Sequence, residues 1–326
     1  MNKRRVLVLG ASGFVGKRVV DALVESDWAV PTAAYHKTPS TNPKVKAITV
    51  DATDEASLTL AVQGTDAVVN CVSGTATTIT EGARALFSVA SKLTVPPRII
   101  YLSTMSVYGH SSRDVDEEAP LIGGLGPYSS AKVAAEHFAA HYPLAVVLRP
   151  GCVYGPGSTQ WSDRIARLLV SGRLGDLGRA GEGRCNLVYI DDLVAAILQV
   201  LLRPTTDGHA FNLSMTAPPT WNQYLFHYAQ ALGISRPARI SNTRLKLETL
   251  FIAPTFRIAD NMARIAGFSP NDRLPTIPPS LARLFGQSIL LKSDKAEKML
   301  SLSWTPMPEG LSMAARYFRA HARMRM

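Results

Sequence analysis

Disulfides, metal clusters and membrane spans are what this sequence is least equipped for. It has three cysteines in 326 residues, and Cys71, Cys152 and Cys185 stand far apart, with neither an even framework nor metal-ligand spacing. No metal is expected, and a reducing cytoplasm is the natural home for such a chain. No run approaches the ~20 apolar residues that a membrane span needs. The basic start, Met1-Asn2-Lys3-Arg4-Arg5, leads into an apolar run that breaks at once into glycines, which predicts a strand and not a secretory signal. No internal repeat or low-complexity tract is present, and no motif points to a nucleic-acid partner. Acidic residues are scarce towards one end. Residues 231–326 hold 15 Lys and Arg against 6 Asp and Glu, which accounts for most of the formal +10. Such a part suits an anionic ligand or an acidic surface, or is a solvated basic face. With 46% apolar and 18% charged residues, the chain can bury one large core or build two domains that share one.

Arg5-Val6-Leu7-Val8-Leu9 has the look of a buried parallel strand. It runs into Gly10-Ala11-Ser12-Gly13-Phe14-Val15-Gly16, and the spacing of Val19, Val20, Leu23 and Val24 then predicts an amphipathic helix. In this pattern Gly10 permits a tight turn, Gly13 lets a phosphate approach the backbone and Gly16 lets helix pack on strand. The free N–H groups of the helix start are suited to a pyrophosphate. A second strand, Ala29 to Tyr35, ends at His36-Lys37. A site that prefers NAD usually places a carboxylate there for the ribose 2′-hydroxyl. Here there is none, and His36 with Lys37, helped by Lys17 and Arg18, suits a 2′-phosphate. NADP is therefore the expected cofactor, with NAD the alternative. Further strands are predicted at Ala47–Val50, Ala67–Cys71 and Arg98–Leu102. Strands alternating with helical patterns predict a Rossmann-type, doubly wound parallel α/β sheet with ligands beyond the strand C-termini.

The stretch Pro127-Tyr128-Ser129-Ser130-Ala131-Lys132 reads as the opening of a helix. Tyr128 and Lys132 are four residues apart, so both side chains share one helix face. A phenol beside an ammonium is a proton donor whose pKa is expected to fall. That suits general acid catalysis at an oxygen.

The chain resembles the extended short-chain dehydrogenase/reductase family, which includes NAD-dependent epimerases and dehydratases. The carrying residues are Gly10, Gly13 and Gly16; Asp51 before Ala52-Thr53-Asp54; Asn70 before Cys71-Val72-Ser73-Gly74; and Ser103-Thr104-Met105-Ser106-Val107-Tyr108-Gly109. Tyr128 with Lys132, the run from Arg149 to Pro156, Val188-Tyr189-Ile190-Asp191-Asp192, Phe211-Asn212-Leu213 and the closing Trp304-Thr305-Pro306 complete the pattern. The resemblance implies Thr104 as the catalytic hydroxyl, with Ser103 or Ser106 as stand-ins, Tyr128 as the proton donor, and Lys132 both tuning Tyr128 and holding the nicotinamide ribose. It puts Asp51 with Ala52 at the adenine, Cys71, Val72 and Ser73 along the cofactor, and Pro150, Gly151 and Val153 at the nicotinamide. It also implies a weave between two lobes: 1–156 with 186–213 for the nucleotide, and 157–185 with 214–326 as a smaller mixed α/β substrate lobe. Within the latter, Trp161–Val170 and Trp221–Leu232 are expected helices, and Leu245–Phe268 a lid kinked at Pro254. A homodimer is the family's common assembly.

Two branches of that family compete. A net reductase or dehydrogenase acts on a ketone or secondary alcohol; a nucleotide-sugar epimerase recycles a tightly held NAD. Family dehydratases place Asp-Glu after the catalytic Thr, where this chain has Met105-Ser106. Many nucleotide-sugar enzymes carry an Arg just before the position of Asn186 to bind the diphosphate; here that residue is Cys185, with Arg184 displaced by one. The reductase reading is preferred. A non-catalytic nucleotide sensor typically lacks the Tyr and Lys that this chain keeps. The substrate is a small molecule that the sequence does not name.

Overall fold

The computed structural model describes residues 3–39, 42–110, 113–252, 255 and 276–322. Its first half alternates strand and helix: β1 (Arg4–Leu9), α1 (Phe14–Glu25), β2 (Ala29–Tyr35), β3 (Lys46–Thr49), α2 (Glu55–Val62), β4 (Ala67–Asn70), α3 (Ala76–Ser91), β5 (Arg98–Leu102), β6 (Asp114–Val115), α4 (Pro127–Ala140) and β7 (Ala145–Pro150). Then come β8 (Cys152–Tyr154), α5 (Arg164–Val170), β9 (Gly175–Asp176), β10 (Leu187–Tyr189), α6 (Ile190–Leu202), β11 (Ala210–Leu213) and α7 (Trp221–Ala231).

Seven strands form one parallel sheet in the order β11-β7-β5-β4-β1-β2-β3. The central strands are buried at every position because both faces are covered, and they are apolar except near their C-terminal ends, at Asn70 and Arg149. Successive side chains alternate between two cores. Val6, Val8, Val69, Ile100 and Leu148 enter one, which continues through α6 into Trp221, Tyr224, Phe285 and Leu311. Leu7, Leu9, Val68, Ile99 and Tyr101 enter the other, beneath α2, α3 and α4.

The chain leaves β1 on one side, through β2 to β3, and returns to β4 on the other. This reversal opens a crevice at the C-terminal ends of β1 and β4, where such sheets take ligands. Short parallel ribbons outside the main sheet join β8 to β10, β9 to Ala238–Arg239, and β6 to Leu290–Leu291.

The expected helix from Trp161 is split. Thr159–Asp163 form a wide π-type turn, and α5 begins only at Arg164. The expected lid begins within a short helix, Asn242–Leu247, and Glu248–Ile252 form another wide turn. Pro254 and 256–268 lie outside the described residues.

Candidate active site

A cavity of about 1110 Å³ lies at the switch point. Gly10 has φ +75°, and a Cβ there would meet the Cys71 backbone at 3.0 Å, so the β1 turn presses directly on the end of β4. Gly16 is not on the cavity wall. A Cβ there would sit 2.2 Å from the Gly10 carbonyl oxygen, so its place is to let α1 close on the loop. Gly13 is the N-cap of α1, with no side chain to cap the first turn and no acidic residue within it. The N–H groups there are left for an anion. Ser12, Phe14 and Val15 line the same wall.

His36 and Lys37 face the cavity from the end of β2, opposite Asp51 and Ala52 from the end of β3. Thr53 donates to the Asp51 carboxylate through its N–H (2.9 Å) and its hydroxyl (2.7 Å), and these bonds hold Asp51 below its ordinary pKa. The His36 ring lies 3.9 Å from the other Asp51 oxygen. His36 therefore has an acidic neighbour, and Lys37 lies beside it on the cavity wall. Lys17 and Arg18 do not line this cavity. Both line a neighbouring groove along α1 that shares Ser12, Gly13, Phe14 and Thr159 with the cavity, and there Arg18 donates to the Pro156 carbonyl and faces Asp191.

Cys71, Val72 and Ser73 follow β4 along the floor, and Pro150, Gly151 and Val153 stand at the end of β7. Burial pushes the Cys71 thiol up to about 12, with Lys132 acting the other way, so Cys71 stays a thiol. Pro127 fills the first helical position of α4, Tyr128 the second, and Lys132 lies one turn on. All three predicted catalytic residues, Thr104, Tyr128 and Lys132, line this one cavity. The expected coupling is different, however. Lys132 is buried, donates to the Leu102 carbonyl at 2.6 Å and lies 4.9 Å above the Tyr101 ring. Burial lowers its pKa to about 8. The Tyr128 phenol is held above its ordinary value by desolvation, and the opposing pull comes from a hydrogen bond with Thr104 rather than from Lys132. A phenol kept neutral near pH 7 is a proton donor.

Ser103 and Ser106 separate clearly. Ser103 is buried and its hydroxyl donates to Glu136, so it is no stand-in for Thr104. The Ser106 hydroxyl is buried at the cavity wall with no partner among the described residues. Glu136 also takes Arg149 at 2.8–3.2 Å. Arg149 in turn donates to Tyr108 (2.8 Å), whose hydroxyl donates to Asn212 (2.6 Å). This buried network ties together the loop carrying Thr104, helix α4 and the two strands at that edge of the sheet.

The sequence model of the NAD dependent epimerase/dehydratase family matches residues 6–214, from β1 to just past β11. The chain belongs to this family. It is 27% identical over 271 residues to a 2′-dehydrokanamycin reductase of Streptomyces kanamyceticus, covering 78% of this chain and 75% of that one. It is 28% identical over 257 residues to a 3-diazoavenalumate denitrifying reductase of a Streptomyces species, covering 72% and 83%. In fold it matches the UDP-glucuronic acid 4-epimerase of Bacillus cereus, solved with UDP-glucuronic acid and NAD, at TM-score 0.74 and 19% identity over 97% of this chain and 99% of that one. These are enzymes of the extended short-chain dehydrogenase/reductase type, and this family member has the fold of the solved epimerase.

Several cavity residues of this family member were not legible beforehand. Thr159, Gln160 and Trp161 come from the wide turn after β8, Arg164 from the start of α5, and Leu281 and Arg283 from a helix spanning Pro279–Phe285. Periodicity placed Trp161 and Arg164 in an ordinary helix, and no motif marks Thr159, Gln160, Leu281 or Arg283. Among the described residues, no group of three His, Cys, Asp or Glu could hold a metal, and no helix is long and apolar enough to cross a membrane.

Proposed function

We propose that the protein is an NADP-dependent reductase or dehydrogenase acting between a ketone and its secondary alcohol. The observation that carries this reading is the single cavity joining the uncapped start of α1 to Thr104, Tyr128 and Lys132. His36 at β2 and Thr104 at β5 are separated by three strand steps, about 14 Å at ~4.8 Å each, a span suited to a dinucleotide laid across the crevice. The loop from Gly10 to Val15 would hold its pyrophosphate, Lys37 its 2′-phosphate, Lys132 its nicotinamide ribose, and Pro150, Gly151 and Val153 its ring. When bound, the cofactor supplies the hydride chemistry. Thr104 and Tyr128 position one substrate oxygen, and Tyr128 moves the proton to or from it. Lys132 places a positive charge on the floor beneath.

Epimerisation of a nucleotide sugar is the second reading, and two observations weigh against it. Cys185 lies in the apolar core, fully buried. The side chain of Arg184 is outside the cavity and donates to the Pro218 carbonyl at 3.5 Å. Neither of these two positions offers a cation to the cavity. The experiment is to denature purified protein and assay released nucleotide, then follow absorbance at the nicotinamide band with added NADPH and a panel of ketones. Consumption of NADPH in proportion to product supports the reductase; stoichiometric release of bound NAD would make the epimerase the leading reading. Tyr128→Phe should lower kcat by about 10²–10⁴-fold with cofactor affinity unchanged. Retention of more than about half the wild-type kcat would overturn the assignment of Tyr128.

A further inference from the structure

The charges on the cavity wall are divided by sign. Among its lining residues the only carboxylate is Asp51, at the β3 end with Thr53 and His36. The wall built from elements beyond β8 contributes two guanidinium groups, Arg164 and Arg283, and no carboxylate.

Arg164 is the more informative. It is half-buried, and among the described residues no carboxylate lies within ion-pair distance of it and no acceptor takes its side-chain hydrogen bonds. The neighbouring Asp163 acts instead on buried Tyr228. Taking a guanidinium partly out of water without a counter-charge is costly, and burial does lower the Arg164 pKa. The backbone that places it is not an ordinary helix. Ser158 caps the turn by accepting from the Trp161 N–H (3.3 Å) and anchors it by donating to the Val153 carbonyl (2.8 Å). Asp163 then closes a five-residue step back to Ser158 at 2.8 Å. A wide turn of this kind re-aims side chains and recurs at functional sites. Here it puts Gln160, Trp161 and Arg164 together on the cavity wall. Arg283, exposed on its short helix, has no ion-pair partner among the described residues either.

We propose that the substrate carries an anionic group, a carboxylate or a phosphate, which Arg164 binds with Arg283 as a second cation. This inference rests on reading the cavity as an oxidoreductase site, and it adds the substrate's charge and the residue that selects it. A planar guanidinium matches either anion through paired N–H donors, whereas the Gln160 amide alone would not select for charge.

The test is calorimetric titration of 2-oxobutyrate, glycerol 3-phosphate, UDP and the neutral control 2-butanone into wild type, R164Q, R164K and R283Q. Each titration is run with and without saturating NADPH. At least one anionic probe should bind wild type where 2-butanone does not, with R164Q weakening it about tenfold or more, R164K less, and R283Q least. Binding of 2-oxobutyrate assigns a carboxylate substrate, glycerol 3-phosphate a phosphate monoester, and UDP alone a nucleotide diphosphate. NADPH affinity within about twofold of wild type shows that the variants keep their fold. Failure of every anionic probe to bind wild type up to about 10 mM, or equal binding by R164Q, overturns the proposal. Anion binding with no NADPH binding would instead sink the oxidoreductase reading and leave the anion site standing.

Discussion

Glu136→Gln is the substitution whose consequences the structure states most fully. Glu136 and Arg149 are 4% and 6% exposed, and three nitrogen–oxygen contacts at 2.8–3.2 Å join them. Glutamine keeps the volume and one carbonyl acceptor but removes the charge, leaving a buried guanidinium without its counter-ion. Removing one partner of a buried pair costs about 3–5 kcal/mol. Arg149 retains the Tyr108 hydroxyl at 2.8 Å and the Glu117 carbonyl at 2.9 Å, so the lower end, about 3 kcal/mol, is expected. That is roughly a 150-fold loss in the folding equilibrium, out of a total that is typically about 5–15 kcal/mol. The pair also fixes the site, because Ser103 on Glu136 precedes Thr104 and Arg149 precedes Pro150. A shift of about 1 Å there should cost up to about 10² in kcat while leaving cofactor affinity near wild type. Urea unfolding followed by circular dichroism gives the first number and steady-state kinetics the second. Replacing both partners, as in E136L/R149M, should recover most of the stability, because the cost lies in the unpaired charge. A loss below about 1 kcal/mol in E136Q would refute the reasoning, as would a double variant no more stable than the single one.

Lys132 should give two pH effects of opposite sign. Its folded pKa of about 8 lies below the ~10.4 of an unfolded lysine, so between those values the unfolded chain binds the extra proton and stability rises with pH. Cofactor affinity should instead fall as pH rises through about 8 and the ammonium is lost, and K132M should be weak and flat across that range; an unchanged wild-type profile would dismiss Lys132 as the ribose contact. Gly16→Ala forces a methyl within 2.2 Å of the Gly10 carbonyl, and it should lower NADPH affinity about tenfold or more or abolish folding. Normal binding by G16A, measured by nicotinamide fluorescence, would mean the loop has freedom that this packing denies. Lys37→Ala should reduce the preference for NADP over NAD by about tenfold, with a smaller loss at high salt; equal titration curves for the two cofactors in wild type would return NAD to first place.

The glycine spacing, the apolar strands and the Tyr128–Lys132 step were legible because each is a local rule. A tight turn needs glycine, a strand buried on both faces has to be apolar throughout, and four residues bring two side chains to one helix face. For that reason the predicted cofactor and catalytic residues line one cavity, except Gly16, which lies directly behind the wall, and the helpers Lys17 and Arg18, which line the neighbouring groove. Where sequence reasoning went astray, a partner distant in the chain decided the outcome. His36 lies on the cavity wall as expected, but β3 also brings Asp51 beside it, which its own stretch of sequence did not show. Ser103 was counted as a spare hydroxyl, but α4 brings Glu136 to it. Lys132 was expected to tune Tyr128, but the Leu102 carbonyl takes its ammonium and Thr104 takes the phenol. The sequence by itself determined the sheet, the glycine turn after β1 and the placing of Tyr128 and Lys132 on one helix face, since these follow from spacing within a few residues. Only the tertiary structure decided which charges are neutralised and which, like Arg164, are left facing the cavity, because a charge's partner is set by the packing of elements far apart in the chain.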